Sequence, residues 1–510
     1  MTRGDWWRDR IRGVRPAPTG VTIARATRSG LDARKRTGID NNGPVASASH
    51  LPALEVKDLP APPASYRPLI GPGVVAAGVG LASGEFVLWP YIASQAGLVL
   101  LWGAAVGITT QWFLNMEIER YTLATGETAL TGFSRSWKHW GLVFVVMIYF
   151  ANLWPGWVTA SATMLTYLVG GEVAPIAIGM LVLLGAALTF APVIYVALER
   201  LAFVKIAAVI LFMVMAIAFV ISREAWAELP RGLAHVGQVP PQLGFALVLG
   251  AFTFAGAGGG QNLCQSNWIR DKGFGMGAYV PRLVSPITGE ETAAPSTGFT
   301  FATTAENMER WRRWWRMANV EQAVTFAALS FLTIVIMSMI AYSTVYGRPG
   351  LPQNVDFLRR QGEQMQVMIG AWFGALYWVI GVLSLFVAAM GIVDYTSRIG
   401  ADVLKTIYLR HSPLSESRIY VALVWGLVLC GSVILTIGFA QPLVLLVVSS
   451  CVGGLMMCGY SVLLIRLNGR GLPGPIRITP WRTAALVWST AMFGLLAVLT
   501  IRQQLRLLLS

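Results

Sequence analysis

Apolar runs of about 20 residues, each long enough to cross a hydrocarbon core of roughly 30 Å, recur from residue 68 almost to the C-terminus and are parted by short polar stretches. The pattern predicts eleven helices, over 68–98, 99–120, 139–169, 174–193, 196–222, 243–270, 317–345, 365–397, 418–437, 440–465 and 481–501. Most are apolar on every face, as membrane spans are. No large soluble domain fits between them. The longest internal connection, 271–316, ends in NMERWRRWWRMANV, whose Trp and Arg pattern suits a helix at the membrane interface or an aromatic and basic anchor for the next span.

Composition agrees with this reading, with 55% hydrophobic and only 13% charged residues in 510. The net charge of +14 would suggest a nucleic-acid partner in a soluble protein. Here Lys and Arg fall in alternate loops, so the charge is a topology signal and no nucleic acid is implied. An N-terminus in the cytoplasm puts Arg135 and Lys138, Arg200 and Lys205, and the stretches 270–316, 398–418 and 466–482 inside. The loops at 170–173 and 438–439 lack Lys and Arg and fall outside, and the odd span count leaves the tail after Arg502 outside as well. An integral protein of the plasma (inner) membrane is expected. Residues 1–67 carry twelve Lys or Arg and little hydrophobic periodicity, which predicts a disordered basic cytoplasmic tail, and they contain no signal-peptide core. Cys264, Cys430, Cys451 and Cys458 lie in apolar segments without metal-ligand spacing, as reduced, buried small residues do.

Two spans carry clustered glycines. Helix one has Gly78, Gly80 and Gly84, and helix six has Gly256, Gly258, Gly259 and Gly260 followed by Gln261 and Asn262. Each Gly costs roughly 1 kcal/mol against Ala inside a helix. Close helix packing explains isolated glycines in membranes, but a GAGGG run followed by two amides is better explained by a helix that unwinds and turns its carbonyls to a cavity. Spans one and six stand five apart, the arrangement of two inverted five-helix repeats, 68–222 and 243–465, with a substrate at their interface and helix eleven, 481–501, appended. Glu85 sits near the middle of the first span, where a carboxylate costs about 2.5–3.5 kcal/mol even on the lenient insertion scale. A bound cation, a proton or a Lys or Arg from another helix must offset it, because the first span offers no basic residue. Other intramembrane acids are Glu117, Glu119, which reads as an interfacial pair with Arg120, and Asp394, which reads with Arg398 as a helix-eight pair that could bind a cation or gate.

These residues resemble a known family. GPGVVAAGVGLASGEFVLWPYIASQAGLVLLW, helix six and SSCVGGLMMCGYSVLLIRLNGR are similar to divergent members of the Nramp family of divalent metal transporters, over roughly residues 68–500. The resemblance implies an all-α polytopic membrane protein of LeuT type, with helices 1 and 6 unwound and rocking against helices three, four, eight and nine. The family's Asp-Pro-Gly-Asn motif falls on Ala82, Ser83, Gly84 and Glu85, and its Met-Pro-His-Asn on Gly259, Gly260, Gln261 and Asn262, so only Asn262 stands as in the family. The site so implied comprises Glu85, Gln261 and Asn262 with backbone oxygens near Ala82 and Gly258, all oxygen, and Glu85 and Asn262 as metal ligands. Without the thioether it suits a hard cation, Mg²⁺ or Mn²⁺, which needs few protein carboxylates because it keeps its waters.

The expected function is therefore secondary transport of a divalent cation by alternating access, by a monomer that works in the lipid bilayer without a cofactor. Transport of a small organic solute such as an amino acid is the alternative, which Glu85 would disfavour by repelling a substrate carboxylate. A membrane enzyme is not expected, since neither HExxH nor an intramembrane Asp pair occurs. His50, His139, His235 and His411 all lie outside the span centres, which leaves Glu85 or Glu117 as the groups able to carry a proton.

Overall fold

The computed structural model describes residues 50–64, 72–80, 83–191, 193–280, 283–284, 286–287, 298–438 and 441–509. Every predicted span is mainly helical within these limits, though the span predicted over 365–397 starts instead at Ala371, its first residues belonging to a separate helix that ends at Met368. The first is α1 (Pro72–Gly80), a π-helical turn (Ser83–Leu88) and α2 (Trp89–Ala96). α3 (Leu101–Thr125) and a short α4 (Ala129–Ser136) follow. The third span is α5 (Trp140–Asn152) with α6 (Gly156–Val169), and the next two are α7 (Val173–Phe190) and α8 (Ile194–Phe219). After α9 (Arg223–Ala234) the sixth is split into α10 (Phe245–Thr253) and α11 (Gly260–Lys272). Then come α12 (Ala305–Gln322), α13 (Leu329–Thr344), α14 (Phe357–Met368), α15 (Ala371–Val403), α16 (Glu416–Thr436), α17 (Pro442–Arg470) and α18 (Pro480–Leu509).

Among the described residues nine helices are long and apolar enough to cross a membrane. The other two predicted spans fall short because α3 carries Thr109, Thr110, Gln111, Asn115 and Glu117 along its length and the sixth is interrupted. Large apolar side chains such as Leu183, Val204, Leu211, Val214, Leu429 and Val433 are exposed along α7, α8 and α16. So much outward apolar surface is stable only against lipid.

Three expectations need correction. The NMERWRRWWRMANV stretch is not a separate interfacial helix: α12, capped by the Thr304 side chain on Asn307 N, continues through a π turn (Ala323–Ala328) into α13 as one helix of 40 residues. Residues 50–64, expected as part of a disordered tail, form an ordered extended strap. Its strand β1 (Glu55–Val56) pairs in parallel with β2 (Phe299–Thr300). Leu59 N donates to Asn307 Oδ1 at 3.1 Å, and Trp314 Nε1 donates to Pro60 O at 2.8 Å. The remainder of the tail, 1–49 and 65–67, lies outside the described residues. Cys430 is exposed rather than buried, and all four cysteines are free thiols.

Small residues set the position of the first span. A Cβ on Gly78 would lie 2.6 Å from Ala202 Cβ, and one on Gly391 would strike the Val79 side chain. α1 is thus wedged between α8 and α15 at backbone contact, as small residues permit in membrane bundles.

Candidate functional site

The break in the sixth span is a backbone feature that only glycine accommodates. Gly256, Gly258 and Gly259 take φ of 102°, 124° and 77°, in the region L side chains avoid. Gly260 N donates to Gly258 O at 2.9 Å and Gly259 N to Asn262 Oδ1 at 2.9 Å, which closes the start of α11. The end of α10 is served from α3, where Gln111 Nε2 donates to Phe252 O at 3.0 Å and Thr253 O at 2.9 Å while its Oε1 accepts from Ala257 N at 3.1 Å. One side chain therefore satisfies three backbone groups that the break sets free, which an interrupted helix inside a bilayer requires. Gly258→Ala is expected to destabilise the protein by about 1–3 kcal/mol through its forbidden φ. Its new Cβ would also sit 2.9 Å from the Phe254 ring. Thermal unfolding of the detergent-purified variant measures this, and a wild-type melting temperature would show that the glycine is dispensable.

Span one meets the break of span six at backbone contact. A Cβ on Gly80, the last residue of α1, would fall on Gly256 O, and one on Gly84 would fall on Phe254 O. Between them lies a small cavity of about 20 Å³, room for one or two waters. Its polar wall is Gln261, Asn152 and Ser449 with backbone at Gly80, Gly84 and Ala257, and its aromatic wall is Trp157, Phe254 and Tyr395. Gln261 Nε2 donates to Ala76 O, and Asn152 Nδ2 donates to Tyr395 Oη and Thr396 Oγ1, both at 2.9 Å. Spans one, three, six, eight and ten all contribute.

Of the described residues expected to bind a cation, only Gln261 lines this cavity. Glu85 is buried in the π turn and does not line it. It acts electrostatically on Lys205 of α8, a fully buried lysine whose Nζ donates to Gly78 O at 2.5 Å. Lys205, expected in an inner basic loop, is thus a buried basic group on another helix that holds α1 and acts on Glu85. Asn262 is engaged at both ends, since its Nδ2 donates to Asn115 Oδ1 at 2.7 Å and its Oδ1 takes Gly259 N. It anchors α11 to α3. Gly258 O holds Gly260 N, and Ala82 lies outside the described residues. No group of three or more His, Cys, Asp or Glu side chains able to hold a metal occurs among the described residues.

The outlying acids form two ion networks. Glu117 takes Arg120 Nε at 2.8 Å and Arg482 Nη1 at 3.2 Å, and Asn468 Nδ2 donates to it at 3.0 Å. Both guanidiniums lie over Trp315, at 4.0 and 4.8 Å from the ring centre, so α3, α12, α17 and α18 are tied at one point. Arg120 therefore pairs with Glu117 and not with Glu119, against expectation. Asp394 and Arg398 do pair, at 2.9 and 3.1 Å, but Arg398 also binds Asp271 of α11, and Tyr420 Oη donates to Asp394 at 2.9 Å. Arg270 then reaches Asp402 at 2.6 Å and Glu416 at 3.5 Å, and Thr128 Oγ1 donates to Asp402 at 2.7 Å. α11 is thereby latched to α15 and α16.

Sequence reasoning missed Gln111, Asn115, Asn152 and Lys205. The first two carried a usable signal, two amides four residues apart on one face of an apolar helix. Asn152 and Lys205 stand alone in apolar surroundings, and nothing local marks their partners.

No family model and no curated protein sequence matches the chain. Solved structures do. The chain is similar to the manganese transporter of Eremococcus coleocola in a histidine-to-alanine variant, at 13% identity and a TM-score of 0.63, covering 88% of this chain and 90% of that one. A glutamate-to-glutamine variant gives 14%, 0.61, 88% and 90%. The same transporter in complex with an aromatic bis-isothiourea substituted compound gives 14%, 0.58, 90% and 91%. At this identity the likeness establishes the fold, an all-α polytopic membrane protein of the LeuT type.

Proposed function

We propose that this chain is a secondary transporter that binds a small solute between span one and the break of span six and exposes it alternately to the two sides of the membrane. The observation that carries this reading is the glycine-built interruption of span six meeting Gly80 and Gly84 of span one at one small cavity in the bundle, and an interrupted helix in a membrane is used to line a substrate site. The alternation of basic loops supports an orientation with the β1 strap in the cytoplasm and the tail after Arg502 outside. The likeness in fold to a manganese transporter supports transport as the activity, with the chain acting as a monomer and not as an enzyme.

The charges around the cavity favour a solute without net charge, such as an amino acid zwitterion. Lys205 lies near enough to act on Glu85, which reduces the repulsion Glu85 would exert on a substrate carboxylate. The first turn of α11 presents the positive end of a half-helix dipole to such a carboxylate. An amine would take carbonyl oxygens near Gly80, at the end of α1. The 20 Å³ cavity must widen to admit an organic solute, but alternating access parts these helices in any case. A divalent cation meets a greater obstacle, since among the described residues no carboxylate lines the cavity and an uncompensated buried ion costs many kcal/mol.

Transport of a hard divalent cation, Mg²⁺ or Mn²⁺, is the second reading, favoured by the neighbour's substrate and by Glu85 one residue from the cavity wall. It requires Lys205 to surrender its proton so that Glu85 can compensate the cation. Uptake into proteoliposomes decides between them. Labelled amino acids should enter and compete with one another, without response to Mg²⁺, Mn²⁺ or Ca²⁺. Saturable entry of any of these metals that Glu85→Gln abolishes would instead establish the second reading.

A further inference from the structure

The sequence sets Glu119 beside Arg120, but the structure gives Arg120 to Glu117. Glu119 is left fully buried on α3, with no Lys or Arg among the described residues in an ion pair with it. Three other buried polar side chains stand with it. Gln265 of α11 is turned toward Glu119, Glu321 of α12 is the second acid close enough to act on it, and Gln322 follows Glu321. Beyond the approach of Gln265 to Glu119, the Glu119 oxygens, the Gln265 side-chain atoms and Gln322 Oε1 meet no hydrogen-bond partner of good geometry. Glu321 accepts from Gly73 N of α1 at 2.9 Å and from Gln322 Nε2 at 2.9 Å.

Buried polar atoms left without partners are rare and call for an occupant. Four of these five atoms are oxygens, all acceptors, and two belong to one carboxylate facing another. Gln265 Nε2, the one donor among them, can serve a Glu119 oxygen, which leaves the remaining oxygens as acceptors without donors. One cation would satisfy those oxygens together, and carboxylate with amide oxygens is the ligand chemistry of hard cations. We propose that Glu119, Gln265, Glu321 and Gln322 form a binding site for one hard, oxygen-ligated cation, Na⁺ or a divalent ion of the Mg²⁺ kind, where α3, α11 and α12 meet the start of α1. None of the four lines the cavity at the break of span six, so the site is separate from the solute site and holds whichever solute is carried. Because α11 supplies a ligand and Glu321 holds Gly73 N, occupancy binds spans one and six to α3 and α12 at one end.

The test is thermal unfolding of the full-length purified protein in NaCl, MgCl₂ or MnCl₂ against choline chloride, at matched ionic strength and fixed pH. One of these cations should raise the melting temperature saturably. Glu119→Gln should abolish that rise, Gln265→Ala should weaken the apparent affinity about tenfold or more, and Glu85→Gln should leave it in place. Should Glu119→Gln fail to fold, calorimetric titration of the same cation into wild type and Gln265→Ala reads the affinity change directly. A melting temperature indifferent to all three cations overturns the proposal. So does a cation response that survives Glu119→Gln or that is lost in Glu85→Gln, and so does stabilisation that follows pH alone, which would mean a shared proton.

Discussion

Arg398→Leu is expected to leave little folded protein, lowering stability by about 3–5 kcal/mol, the cost of stripping one partner from a buried ion network. Arg398 is fully buried, and its guanidinium spans Asp394 on its own helix and Asp271 on α11. Without it Asp394 and Asp271 lose their shared counter-charge, although Tyr420 still donates to Asp394 and Arg270 still lies by Asp271. Arg398→Lys should recover part of the loss, because an ammonium supplies charge without the two-pronged geometry that holds both acids. Replacing Arg398, Asp394 and Asp271 together by apolar residues of similar volume should cost far less than the single change. The measurement is melting temperature and monodisperse yield in detergent. A single variant as stable as wild type would show that α11 is not held to α15 by this network.

The helices were legible in the sequence because lipid imposes a simple rule, that every buried backbone polar group be satisfied within its own span. Runs such as 196–222 could be nothing else, and GAGGGQN announced a break because glycine is costly in a helix unless its freedom is used. Charge pairing was much less legible. Glu117 and Glu119 are two residues apart on α3 and look alike in sequence, yet Glu117 is met by Arg482 and Asn468 from the far end of the chain while Glu119 turns to α11 and α12. The choice Arg120 makes between them is fixed by those distant partners. Lys205 reads as a loop charge for the same reason: its role depends on Gly78 and Glu85, more than a hundred residues away. The strap at 50–64 carries no such signal because its order comes from pairing with residues 299–300 and α12, and extended polar chain has no periodicity of its own.

Lys205→Met is expected to change what the protein carries as well as how stable it is. The ammonium at Gly78 O is the positive charge set against Glu85. Methionine fills a similar volume and supplies no charge. The variant loses the hydrogen bond to Gly78 O, leaving a buried carbonyl without its donor at a cost of about 1–3 kcal/mol, so it should melt below wild type. Glu85→Gln, which leaves the ammonium its carbonyl, should cost less. The double variant Lys205→Met with Glu85→Gln should be more stable than Lys205→Met alone, since coupled neighbours fail to add by about 0.5–3 kcal/mol. The functional consequence follows from the same charge count. With the positive charge of Lys205 removed, Glu85 gives the region beside the cavity a net negative charge, so a zwitterionic solute should be taken up poorly and Mg²⁺ or Mn²⁺ should begin to enter proteoliposomes. The double variant should lose that metal entry, because a neutral amide in place of the Glu85 carboxylate cannot compensate a cation. If Lys205→Met transports as wild type does, the lysine is only a structural tether for α1. If wild type already carries Mn²⁺ and Lys205→Met carries it with unchanged affinity, the pairing of Lys205 with Glu85 does not set the charge of the transported solute.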